Sequence, residues 1–113
     1  MQGHLVPQDV LEQVAKRFRL LGDPVRLSIL NYLNLRSEAT VGEIVEATGQ
    51  SQANISKHLR VLATDDLVVR RKDGLYAYYR VADPTLNALC LLVCGQIERR
   101  DTAVGDAAEL TGA

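Results

Sequence analysis

Between residues 51 and 60 stand side chains suited to bonding a polyanion: Ser51, Gln52, Asn54 and Ser56, then Lys57, His58 and Arg60. The carboxamides of Gln52 and Asn54 can each make paired hydrogen bonds to adenine. Serine hydroxyls bond several bases or phosphate, and the cations bind phosphate. A second basic group, Arg70, Arg71 and Lys72, precedes Asp73-Gly74, and Tyr78 follows it. Across residues 51–80 six Lys or Arg face three Asp, a local charge of +3 in a chain of net −1, which leaves −4 for the rest. That segregation fits a local DNA-binding surface and excludes a wholly basic nucleic-acid coat. Catalysis is poorly served. No Gly-rich phosphate loop is present, and of the two histidines, His4 and His58, the second is better placed for DNA than for activating a nucleophile. The chain reads as a non-enzyme.

The elements that must hold these groups follow from local pattern. Val10, Leu11, Val14, Phe18 and Leu21 recur at three and four residues, one face of a helix. Gly22-Asp23-Pro24 punctuates: Gly22 suits a left-handed stop, Asp23 an N-cap and Pro24 the first helical position. The second helix runs to about Leu35 with Leu27, Ile29, Leu30 and Leu33 inward, and residues 36–39 form a polar connection. Thr40 and Glu43 have capping-box spacing ahead of a short third helix that ends at Gly49. The fourth helix starts at Gln50 or Ser51 with Ile55, Leu59 and Leu62 inward, and its first turn carries the DNA candidates. Two β-rich runs, Leu67–Lys72 and Leu75–Val81, are joined by Asp73-Gly74, read as the central pair of a hairpin turn. Tyr78 and Tyr79 alternate faces, so one packs in the core and the other is free to touch phosphate; Tyr78 is the candidate. Asp83 caps a last helix that continues to about Arg100. This order is mainly α with a β-hairpin: a winged helix-turn-helix, which sets one helix in the major groove and a β-wing beside it.

At 113 residues the chain has room for one domain, placed at 7–100, with a loose arm at 1–6 and a disordered tail at 101–113. Apolar content is 47% with no Trp and one Phe, so the core must be built of Leu, Val, Ile and Ala. A chain this short buries only roughly 60–70% of its unfolded surface, which makes a dimer attractive. The longest apolar run, Ala88 to Cys94, is too short to span a bilayer. No secretory signal is visible, and two Cys without one point to a reduced, cytoplasmic protein with no membrane partner.

These residues resemble the ArsR (SmtB/ArsR) family of bacterial repressors over about residues 10–98. The most specific segments are Phe18 to Leu30 (FRLLGDPVRLSIL), Ser51 to Leu62 (SQANISKHLRVL) and Tyr78-Tyr-Arg-Val81 after the basic hairpin. The resemblance implies four helices, two strands and a fifth helix. It implies a homodimer paired through the first and last helices, bound to a palindromic DNA operator and released by an inducer. The last helix agrees: from Ala88 to Val93 it is apolar nearly all round, more than a monomer's surface helix needs.

The family's known sensor positions can be checked one by one. Arsenic and cadmium sensors often carry Cys-Val-Cys in the helix before the reading helix, where this chain has Thr40-Val-Gly-Glu-Ile-Val45. Zinc and nickel members carry Asp-x-His and a later His on the last helix. Here Asp83-Pro84-Thr85 keeps only the Asp, and Gln96 to Arg99 holds no His. Cys90 and Cys94 remain, four apart and so on one helical face. With a third ligand, for which His4 of a partner's arm is a weak candidate, two thiolates suit a soft metal or trivalent arsenic. A thiol-redox signal is a second reading. Packing alone is a third, since Leu86, Cys90, Val93 and Ile97 form one apolar stripe.

Two functions from different classes therefore stand. One is a dimeric, sequence-specific repressor. The other is a winged-helix protein-interaction module, or a constitutive regulator without metal sensing. The interaction module has no need of Arg70, Arg71 and Lys72 together.

Overall fold

The computed structural model describes residues 5–110, without the side chains of Asn87 and of those beyond Asp101. The order is α1 (Gln8–Leu21), α2 (Pro24–Arg36), β1 (Ala39–Thr40), α3 (Val41–Thr48), α4 (Gln52–Thr64), β2 (Val68–Asp73), β3 (Tyr76–Val81) and α5 (Pro84–Leu110). Residues to Ala82 form one compact unit and the last helix a second.

The starts of α2 to α5 are set by side-chain caps, whereas α1 begins after Pro7 without one. The Asp23 carboxylate accepts from the backbone N–H groups of Val25 at 2.9 Å and Arg26 at 3.1 Å, with Pro24 following. The Thr40 hydroxyl accepts from the Glu43 N–H at 3.2 Å while Glu43 accepts from the Thr40 N–H at 2.9 Å, a complete capping box. Ser51 caps α4 through the Asn54 N–H at 3.1 Å. Asp83 accepts from the Thr85 N–H at 2.9 Å. Gly49 ends α3 in the left-handed region at φ 73°, where a side chain would be strained. Gly22 does not follow that rule. It sits at φ −80°, and a methyl there would approach the Phe18 carbonyl oxygen to 3.2 Å, so glycine serves closeness rather than a left-handed stop.

Ile29, Leu30, Leu33, Ala39, Ile44, Ile55, Leu59, Leu62, Leu67 and Val68 are buried and tie α2, α3, α4 and the sheet into one core. Leu27, expected inward, is 41% exposed: it lies off the Ile29–Leu30–Leu33 side of α2. The sheet has three antiparallel strands in the order β1-β3-β2, with Ala39 opposite Tyr79 and Val68 opposite Val81. β1 takes Ala39 from the end of the stretch read as a polar connection and Thr40 from the capping box that follows it. Its two residues carry no pattern of their own and are made a strand by pairing with β3. The Asp65-Asp66 pair after α4 also finds a use. Asp65 meets Lys16 of α1 at 3.0 Å, and Asp66 takes the left-handed turn at φ 58°, a conformation Asp tolerates better than most residues.

α5 forms a unit of its own. It continues ten residues past the expected end at Arg100, through a stretch read as a disordered tail. Ala103, Ala107, Ala108 and Glu109 are strong helix formers, and lack of anything to bury argues against a core, not against a helix. Residues 111–113 and the arm up to His4, the candidate third ligand, lie outside the described residues. No helix among the described residues is long and apolar enough to cross a membrane.

Candidate nucleic-acid interface

α4 has two faces. Ile55, His58, Leu59 and Leu62 point into the core. On the opposite side Gln52, Ala53, Lys57 and Arg60 are exposed and Ser56 is half-buried, the one-face spacing of a helix with about 100° per residue. This outward face is the surface the helix can offer to a groove. The helix N-terminus adds unpaired backbone N–H groups that favour phosphate.

Two candidates move off that face. His58 is only 8% exposed and lies with Ile55, Leu59 and Leu62 on the core side of α4, and its Nδ1 has no hydrogen-bond partner. The N-cap carboxylate of Asp23 feels it. That group is held below its usual range first by the Arg26 N–H, with the charge of His58 a smaller contribution. Asn54 lies to the side, half-buried, and its amide donates to Gln50 Oε1 at 2.8 Å. Gln50 thereby enters the picture as the group that orients Asn54, and Ala53 as a small exposed apolar contact fit for a thymine methyl. Neither was among the sequence candidates. The phase signal was available: His58 follows Ile55 by three and precedes Leu62 by four, which places it inward.

The wing is divided in the same way by strand alternation. Cross-strand partners share a face, so Arg70 with Tyr79 and Lys72 with Ala77 lie on the side that begins at buried Val68. Arg71 and Tyr78 lie on the other side. Arg71 is fully engaged there. Its guanidinium crosses the Tyr78 ring, 4.7 Å from the centroid, and donates to Glu38 twice, Nε–H at 3.0 Å and Nη2–H at 2.8 Å. A longer contact of 3.4 Å reaches Asp73. The Arg71 bonds hold the Glu38 carboxyl below its usual range, and Glu38 pushes the guanidinium further up. Arg71 thus staples β2 to the start of β1 across β3, with Tyr78 as the platform. In the DNA-free chain both side chains are engaged within the wing. Among the described residues Lys57, Arg60, Arg70 and Lys72 make no side-chain ion pair or hydrogen bond.

The hairpin turn is shifted by one residue from expectation. Asp73 pairs with Tyr76, so the central pair is Gly74-Leu75, not Asp73-Gly74. Gly74 has φ 60° and Leu75 is not in the positive-φ region, the pattern of a type II′ turn with glycine first.

On α5, Cys94 is exposed and Cys90 half-buried. Burial first, and the neighbouring Cys94 second, push the Cys90 thiol up. Among the described residues no three His, Cys, Asp or Glu gather as a metal-ligand group. α1 leaves Val10, Leu11, Val14 and Phe18 exposed, and α5 leaves Leu91, Leu92, Val93 and Ile97 exposed.

Known proteins are similar to this chain in sequence and fold. Residues 23–69 match the family model of bacterial regulatory proteins of the arsR family. The probable mercury resistance operon repressor of Streptomyces lividans is 40% identical over 87 residues, which is 77% of this chain and 69% of that protein. A solution structure of a homodimeric winged helix-turn-helix DNA-binding domain from Mycobacterium bovis, a possible ArsR-family transcriptional regulator, superposes with TM-score 0.72 at 32% identity. It covers 87% of this chain and 91% of that one. The crystal structure of the AntR antimony-specific transcriptional repressor has the same fold, with TM-score 0.83 at 22% identity over 90% of this chain and 92% of that one.

Proposed function

Because the chain belongs to the arsR family of bacterial regulatory proteins, we propose that it works as a homodimer that represses transcription by binding a palindromic operator. The observation that carries this reading is the outward face of α4, where Gln52, Ala53, Ser56, Lys57 and Arg60 stand opposite a core face of Ile55, His58, Leu59 and Leu62. Gln52 and Ser56 read base edges, Lys57 and Arg60 hold phosphate, and Arg70 and Lys72 of the wing add phosphate contacts. Ser51 contributes the N-cap that sets the first turn.

The dimer is supported by the uncovered apolar faces of α1 and α5 and by the homodimeric Mycobacterium bovis relative. A two-fold pair of such readers takes half-sites about one DNA turn apart. Titrating the protein onto DNA from its own upstream region, across salt concentrations, tests the reading. Sequence-selective binding that weakens with salt is expected. Binding indifferent to both salt and sequence refutes it.

For release, Cys90 and Cys94 are the proposed receivers of the inducer. Two thiols on successive turns of α5 suit a soft metal or trivalent arsenic, which must displace the proton that burial holds on Cys90. The exposed Cys94 is the thiol an oxidant meets first. DNA release by zinc, cadmium, arsenite, peroxide and persulfide, compared between the wild type and Cys90→Ser/Cys94→Ser, separates these signals. Unchanged release by the double variant would reduce both cysteines to packing.

A further inference from the structure

The wing ends in an apolar tip that nothing in the fold requires. Residues 69–76 are all exposed, so the hairpin stands clear of the core. Leu75 at the turn is 98% exposed and Tyr76 beside it 62%. Gly74 alone carries the positive φ, so the backbone at Leu75 accepts any ordinary residue. A solvated turn is usually given to Gly, Asn, Asp or Ser. Leucine there gains nothing from folding.

Its surroundings say what it meets. Arg70 and Lys72, unpaired within the chain, lie on the strand leading to it, and Lys57 and Arg60 lie on α4. An acidic polymer is the surface such a set approaches, and the apolar tip is the part that must enter a groove between phosphates. The reach fits. Six residues of β2 extend about 20 Å at ~3.3 Å per residue. Half a DNA turn, from the groove α4 would read to the adjoining minor groove, is about 17 Å.

We propose that Leu75 is an apolar wedge that enters the minor groove flanking each half-site; this rests on the reading of the chain as a DNA-binding repressor. The side chain packs on deoxyribose walls and base-step edges, as apolar minor-groove wedges do. It carries no hydrogen-bonding group, so it reads the groove floor by shape. The guanine 2-amino group fills that floor, whereas A·T pairs leave it open. Leu75 therefore confers a preference for A·T pairs at the flank, distinct from the base reading by α4.

The test uses the full chain and a duplex that the wild type selects from random-sequence DNA. Flanking adenines are then replaced by 2,6-diaminopurine, which adds a minor-groove amino group and leaves the major-groove edge unchanged. Leu75→Ser should keep the wild-type melting temperature, because the residue is outside the core, and the wild-type salt slope, because no charge is lost. It should bind the parent duplex about a hundredfold more weakly, since a dimer loses two leucines at roughly tenfold each. Diaminopurine should weaken the wild type by a similar factor and the variant hardly at all. Equal affinity of the variant and wild type for the parent duplex overturns the proposal. So does a diaminopurine penalty that is the same in both proteins. Failure of the wild type to select any duplex overturns the DNA-binding reading itself, and is distinguishable because it precedes any comparison with the variant.

Discussion

Salt dependence separates the cations that bind DNA from the one that holds the wing together. Lys57, Arg60, Arg70 and Lys72 are unpaired within the chain, about eight cations in a dimer. At about −0.9 in log K per log salt for each neutralised phosphate, the slope should be about −7. Affinity should then fall by about 10⁴ between 50 and 200 mM salt. Lys72→Ala removes two contacts per dimer and should reduce the slope by about 1.8. Arg71→Ala should not. Its guanidinium is spent on Glu38 and Tyr78, so losing it loosens the wing and displaces the salt line downward in parallel. Glu38→Gln should give the same parallel displacement. Fluorescence anisotropy on a selected duplex at five or more salt concentrations resolves these slopes. If Arg71→Ala flattens the slope as much as Lys72→Ala, Arg71 binds phosphate and does not hold the wing together. If Glu38→Gln tightens binding, Glu38 merely withholds Arg71 from the DNA.

Further outcomes concern stability and base reading. Gln52→Ala and Ser56→Ala should weaken binding to the selected duplex more than to random DNA, read by competition; equal losses on both would remove these residues from base reading. Ile55→Ala empties a site with no exposure and should lower the unfolding free energy by about 2–5 kcal/mol in urea melts. Thr40→Ala breaks the capping box and should cost about 1 kcal/mol in the same assay. Asp23, Glu38 and Glu43 have folded pKa values lowered from 3.8, 4.5 and 4.5, by the Arg26 N–H, by Arg71 and by the Thr40 N–H in turn. A lowered folded value means that stabilisation is fully present above the ordinary value and is lost as pH falls through the depressed one. The urea midpoint should therefore hold steady from neutral pH and drop below about 4.5; a midpoint that rises on acidification contradicts the three contacts.

What could be read in the sequence was local. The Asp23-Pro24 start, the Thr40–Glu43 box and the Gly49 stop each depend on a few neighbours, and each is found in the fold. β1 was invisible because two residues acquire strand geometry only from β3. The turn frame was ambiguous for a physical reason. Asp-Gly fits the centre of one hairpin turn, while a glycine followed by any residue fits another. Only the Asp73–Tyr76 pairing decides between them. The burial of His58 was legible in helical phase, but a histidine among DNA candidates invites a functional reading over a packing one.

The three adjacent basic residues of the wing carry the same lesson into function. Counting charge treats Arg70, Arg71 and Lys72 as equals, but a pleated strand cannot present neighbours to one partner. Alternation sends Arg71 to the side of Tyr78, where β1 brings Glu38 within 2.8 Å and cancels its charge. Arg70 and Lys72 remain on the other side, free. Of these three neighbours, two per protomer therefore remain available to DNA, and they lie on one face. The third cation fixes the orientation of that face instead. A wing so stapled can be short and still aim its tip, which is the condition Leu75 needs to find a groove rather than sweep across it.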